Sequence, residues 1–404
     1  MIGPRSRELS RRIAEVEAPG VNTLPSIPGA ASLFWEEAEG ARVRDVDGNL
    51  YIDLTSGFGV AAVGHRHPRV VEAVREQAGR LMHGLGDVHG HPLRVELAEK
   101  LVRLAPVDDP QVFFSISGSE AVEIAIKTAL AHTRRPGVLA FEPSYHGLTL
   151  GSLAVTSRPE FRKPFADHLH GHTHRLPFAC DPGQVESALQ SGRIGAVVVE
   201  PIVGREGILI PPAGWLAEVA QSCRRHGTLL IADEVFTGFG RTGRLFAVEH
   251  EGVRPDILCC GKALGGGLPI AAVLARRDLF RVWETKKEAL HTATFVANPV
   301  ACAAALAALS VIEEEDLPGR AARIGEWMGR RLAYFNQVVR GRGLVWGVEL
   351  ETAEAARIWT GRALERGVLL LAGGPEGRVA QIVPPLTIEE NVLGKALDIL
   401  QASQ

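Results

Sequence analysis

The chain has 404 residues, of which 46% are hydrophobic and 23% charged, and a formal net charge of −3. That length allows a large core and two or three domains of ordinary size, and so small a charge gives no electrostatic reason to expect nucleic acid or an anionic membrane as partner. Five cysteines, odd in number and irregularly spaced, argue for a reducing compartment, the cytoplasm, and against a metal site.

The opening stretch, MIGPRSRELSRRIAEVEAPG, reads as a charged amphipathic helix without the apolar centre of a signal peptide, and no run in the chain approaches the roughly 18 apolar residues of a membrane span. ARVRDVDGNLYIDL alternates about Asp47-Gly48 and predicts a β-hairpin. From residue 70 onward, the apolar runs QVFFSI, GVLAFE, GAVVVE, TLLIAD, DILCCG and IAAVLA alternate with helix-period segments such as SEAVEIAIKTALAHT and GWLAEVAQSCRRHG. Such alternation predicts an α/β fold with a mostly parallel sheet between helices, and ligands sit beyond the carboxyl ends of such strands. From residue 285 the pattern changes to long helices, a hairpin-like RGRGLVWGVELE and a closing helix, which predict a second, smaller domain.

The strand ends carry the chemistry. DILCCGKALGGGLP places Lys262 between an apolar run and three glycines, in a chain where only seven of the 44 basic residues are lysines. A lysine desolvated there loses part of its preference for the charged form and becomes a nucleophile. TLLIADEVFTGFGRTG delivers Asp233 directly off an apolar strand, where a carboxylate needs a cationic or donor partner. In SISGSEAVEIAIKTA a small turn containing Gly118 and Ser119 feeds a helix whose first N–H groups suit an anion, although the same residues also read as a capping box. FEPSYHGLTLG follows another strand with Tyr145, His146 and Gly147, and Thr294 precedes a helix in LHTATFVANP. An amine nucleophile, a buried carboxylate, a helix-mouthed anion site and an aromatic platform together match what pyridoxal phosphate requires.

With these motifs in their order, from VRDVDGNLYIDL through VGHRHPRVVEAV, VVEPIVGREGILIPPAGWL, ADEVFTGFGRTG and GKALGGGLPIAAV to VPPLTIEE, the chain resembles the class III, omega-type aminotransferases of the fold-type I pyridoxal phosphate enzymes. The resemblance implies a large domain over 56–285 with a seven-stranded type of sheet, and a smaller α+β domain built from residues 1–55 and 286–404. It implies that Lys262 condenses with the cofactor aldehyde and later shuttles a proton, and that Asp233 pairs with the pyridinium nitrogen. Gly118 and Ser119 would hold the phosphate, Tyr145 would stack on the ring, and His146 and Glu200 would lie beside the cofactor. Thr294 would reach the phosphate of the neighbouring subunit, which makes a homodimer the minimal active unit. The activity implied is transfer of an amino group from an amine or amino acid to an oxo acid, with no nucleic-acid or membrane partner.

The substrate side departs from that pattern. Gln381 stands where many relatives carry a carboxylate-gripping Arg, and Arg205 stands where they carry a gating Glu; a misalignment of these stretches would instead give those roles to Arg378 and Glu206. Phe58, Phe236 and Leu148 make the expected pocket apolar, with Phe58, Arg205 and Gln381 as substrate-side candidates. A racemase or epimerase of the same family is the alternative enzymatic reading. A non-catalytic module on the same fold would need a degenerate site, whereas Lys262 and Asp233 are both present.

Overall fold

The structure is a computed structural model that describes residues 2–20 and 31–404. Strands β1 (Trp35–Glu39), β2 (Arg42–Asp45) and β3 (Leu50–Asp53) form an antiparallel meander. Its predicted turn is held by Asp45, whose carboxylate accepts the N–H groups of Asp47 and Asn49 and the hydroxyl of Tyr51, while Gly48 takes φ +87°.

The central sheet contains β4 (Pro110–Ser115), β5 (Gly137–Glu142), β6 (Thr173–Pro177), β7 (Ile194–Val199), β8 (Leu229–Asp233), β9 (Ile257–Cys260) and β10 (Ala271–Arg276). Their order is β4-β10-β9-β8-β7-β5-β6. Only β10 runs against its neighbours, so the expectation of a mostly parallel sheet holds. The interior strands are apolar up to their last residues because both faces are covered. Val197, Val199, Leu230, Ala232 and Leu258 point to one core, and Ala196, Val198, Leu229, Ile231 and Ile257 to the other. The helix Gly118–Thr133 seals the second face with Ala121, Val122 and Ala125, and the helix Trp215–His226 seals the first with Leu216, Val219 and Ala220. Strand β6 has no counterpart among the predicted runs. It is an edge strand reading THRLP, with too little apolar surface to announce itself.

The C-terminal part adds β11 (Val338–Arg342), β12 (Val345–Glu349), β14 (Leu371–Gly373) and β15 (Val379–Ile382) in the order β11-β12-β15-β14, while β13 (Val368–Leu369) pairs in parallel with β3. The smaller sheet region therefore takes strands from both ends of the chain. Arg241, fully buried in the GFGRTG segment, donates to the carbonyls of Leu344 and Pro384 and fixes the C-terminal part against the loop that follows β8.

Candidate active site

Because β4, β5, β7, β8 and β9 run the same way, their carboxyl ends share one edge of the sheet, and every cofactor-side candidate except Thr294 emerges there. Asp233 is the last residue of β8 and is 6% exposed. Its Oδ2 lies 2.8 Å from His146 Nδ1, and its Oδ1 accepts the Val235 N–H at 3.1 Å. Burial works against charge on His146, yet the hydrogen bond and the negative charge of Asp233 outweigh it and raise the histidine above its ordinary value. The other ring nitrogen, His146 Nε2, is buried without a hydrogen-bond partner among the described residues.

Lys262 follows β9 after Gly261 and takes φ +40°, a left-handed conformation that a side chain of this size adopts at a cost. Part of its surface opens to the cleft while protein surrounds it, so desolvation lowers its pKa, against the opposing charges of Asp233 and Glu200 and with the help of Arg205. Its Nζ lies 5.3 Å from the centroid of the Phe236 ring. Glu200, just past β7, is buried and bridges two loops, accepting Tyr145 N–H through Oε1 at 2.9 Å and Gly204 N–H through Oε2 at 3.0 Å. Burial, assisted by Asp233, pushes its carboxyl up to about 7 despite the opposing pull of His146.

At the start of the helix Gly118–Thr133, Ser117 caps Glu120 N–H, and the N–H groups of Gly118 and Ser119 have no acceptor among the described residues. The Ser119 hydroxyl does not stand free: it accepts from Leu148 and Thr149 N–H and bonds the hydroxyls of Thr149 and Ser152 at 2.9 and 2.7 Å. Thr149 and Ser152 are absent from the sequence expectation because nothing local ties them to residue 119.

The substrate-side candidates divide. Phe58 is 69% exposed at the mouth, and its neighbour Gly59 packs close to Phe236 and Lys262. The Arg205 guanidinium lies over Tyr145 at 4.4 Å and over Phe161 at 5.2 Å. Phe161, from a short helical turn far from the recognised motifs, escaped notice in the sequence. Gln381 turns its amide to the carbonyls of Gly204 and Arg205. The misalignment alternative is not supported: Glu206 is buried and bound by Arg158 Nε at 2.7 Å, and Arg378 pairs with Glu349 and Glu376. Thr294 is exposed and packs beside Gly86 rather than beside Ser119.

Next to Asp233, Glu234 is fully buried, accepts from Thr237 Oγ1 and Val248 N–H, and is pushed by burial up to about 7. The folded chain therefore keeps a proton that the unfolded chain surrenders near pH 4.5, and the stability this contributes is lost as pH rises from there through 7. Glu234→Gln removes this titration. Its melting temperature should fall less than that of the wild type between pH 5 and 8, a difference on the order of 2–4 kcal/mol in stability. Parallel melting curves would contradict the assignment.

The class-III aminotransferase family model matches residues 27–403, and the chain belongs to that family. It is 45% identical over 372 residues to the acetylornithine aminotransferase of Methanopyrus kandleri, covering 90% of this chain and 93% of that one. It is 37% identical over 439 residues to the 4-aminobutyrate aminotransferase of Mycobacterium leprae, covering 98% and 95%. Among solved structures, the ornithine aminotransferase of Toxoplasma gondii superposes with a TM-score of 0.90 at 30% identity over 98% of this chain and 94% of that one. The omega transaminase of Pseudomonas jessenii in complex with PMP gives 0.91 at 28%, covering 98% and 97%. The activity is amino transfer, and these relatives favour it over the racemase alternative.

Proposed function

We propose that this cleft holds pyridoxal 5′-phosphate and that Lys262 and Asp233 are its catalytic residues. The carrying observation is a desolvated amine at the end of β9 beside a buried carboxylate at the end of β8 that is itself paired to His146. The residues fit the group: unpaired N–H donors of Gly118 and Ser119 suit a phosphate, the half-buried Tyr145 suits a ring, and Asp233 suits a protonated ring nitrogen. When bound, pyridoxal phosphate supplies an aldehyde that takes up amino groups and a cationic ring that draws electrons.

Lys262 Nζ, whose hold on a proton desolvation weakens, would take the proton from the substrate α-carbon and return it on the cofactor side. Asp233 would hold the proton of the ring nitrogen, and His146 fixes the carboxylate by donating to Oδ2. Glu200 holds the Tyr145 loop and the loop after β7 at a fixed separation. Phe58, Phe236 and Leu148 give the substrate an apolar approach, which suits amino donors with apolar or terminal-amine side chains and an oxo-acid acceptor.

A homodimer completes the reading. Met82, Leu85, Leu290 and Phe295 are exposed around Thr294, an apolar surface that suits a second copy whose cofactor phosphate Thr294 would reach. Five free cysteines suit a cytoplasmic location. The test is spectroscopic: protein loaded with pyridoxal phosphate should absorb in the visible, bleach with an amino donor alone and recover on addition of an oxo acid. Borohydride labelling on a peptide other than that of Lys262 would overturn the assignment.

A further inference from the structure

We propose that Arg205 is the carboxylate-binding residue of this cleft, with Gln381 bracing its loop instead of meeting substrate, and that the oxo-acid partner is a monocarboxylate. The proposal rests on amino transfer at Lys262 and adds the class of acceptor.

Arg205 is a free cation on a fixed backbone. Its carbonyl accepts Gly374 N–H and Gln381 Nε2, both at 3.1 Å, and Arg340 donates to the carbonyls of Gly207 and Ile208 further along the same loop. Its guanidinium rests on the rings of Tyr145 and Phe161 and meets no carboxylate within 4 Å among the described residues. The neighbouring acids are already engaged. Glu206 takes both of its contacts from Arg158, Glu200 accepts two backbone N–H groups, and Asp233 belongs to His146. A guanidinium lying over rings spends no N–H on them, so its fork stays available for two parallel bonds to a carboxylate. The ring platform of Arg205, Tyr145, and its own loop, through Gly204, are both tied to Glu200, which sets the guanidinium on the same cleft as Lys262, where its charge is felt.

Gln381 cannot compete for that role. Both hydrogens of its amide nitrogen are spent on the carbonyls of Gly204, at 3.2 Å, and Arg205. The nitrogen packs so tightly on Gly373 that a Cβ there would lie 2.5 Å away. The other arginines of these loops are also taken: Arg158 by Glu206, Arg162 and Arg175 by Glu142, and Arg378 by Glu349. Among the described residues of these loops Arg205 is therefore the one free cation, and one cation serves one carboxylate. A second carboxylate, as on 2-oxoglutarate, would be desolvated there without a partner.

The holoenzyme tests this with pyruvate and 2-oxoglutarate as acceptors and propionate as a non-reacting probe. The wild type should use pyruvate with a kcat/KM about tenfold or more above that for 2-oxoglutarate. Arg205→Ala should raise the KM for pyruvate and weaken propionate binding, read by calorimetry, by about tenfold to hundredfold with a smaller change in kcat. Arg205→Lys, which restores the charge without the fork, should recover part of both. Unchanged propionate affinity and pyruvate KM in Arg205→Ala, or preferred use of 2-oxoglutarate by the wild type, would overturn the proposal. Propionate binding that depends on Arg205 in a protein unable to transfer amino groups would instead refute the catalytic reading and leave the carboxylate site standing.

Discussion

Lys262→Ala is expected to abolish amino transfer, a loss of at least about 10⁴-fold in kcat, while leaving the fold intact. The amine is placed by the chain path: β9 ends at Cys260, Gly261 turns, and Lys262 enters the cleft in a left-handed conformation. Among the described residues, the other lysines with a resolved partner stand elsewhere, Lys100 against Glu313 and Lys127 against His291, so neither replaces it. Desolvation of an amine and a positive φ both cost stability, and alanine removes the first cost without changing the second. The melting temperature of the variant should therefore equal or exceed that of the wild type, as expected where a site is kept at the expense of stability. Steady-state turnover and thermal melting measured on one preparation decide the matter. Turnover within tenfold of the wild type would remove Lys262 from its role, and a large drop in melting temperature would show that the position is structural.

Much of this cleft could be read in the sequence because its main groups are delivered by local grammar. An apolar strand followed at once by Asp or by Gly-Lys specifies both a buried path and the side chain at its end, as at Asp233 and Lys262. The sheet was legible for the same reason, since strands covered on both faces read as unbroken apolar runs. What escaped depends on contacts across long separations. His146 and Asp233 are 87 residues apart, and no local pattern states that one ring nitrogen meets the other's carboxylate. Gln381 and Arg205 were expected as a pair of substrate residues. They do meet, but side chain to backbone, and the free donors belong to Arg205 alone. The platform for its guanidinium needs Phe161, whose turn carries no motif.

Asp233→Asn is expected to keep the protein folded and the cleft occupied while lowering kcat by about 10²–10³-fold, the usual loss when a preorganised electrostatic contact is removed from a site. Asparagine has nearly the same shape, and its carbonyl oxygen accepts from either Val235 N–H or His146 Nδ1, so the network is preserved in outline. What disappears is the charge. A neutral amide cannot hold a proton on a ring nitrogen, and His146 loses both the hydrogen bond to a carboxylate and the negative neighbour that raise it, leaving burial to push it below its ordinary value. Lys262 loses one of the two carboxylates that oppose its desolvation, so its pKa falls further. The variant should therefore show a lower kcat and an acid limb of its pH–rate profile displaced to lower pH, a pairing that a purely structural defect would not produce. His146→Ala separates the two contributions: it removes the donor but keeps the carboxylate, and its loss in kcat should be smaller than that of Asp233→Asn. Equal losses would mean that the carboxylate acts through the histidine, and unchanged turnover in Asp233→Asn would mean that its charge takes no part in the reaction.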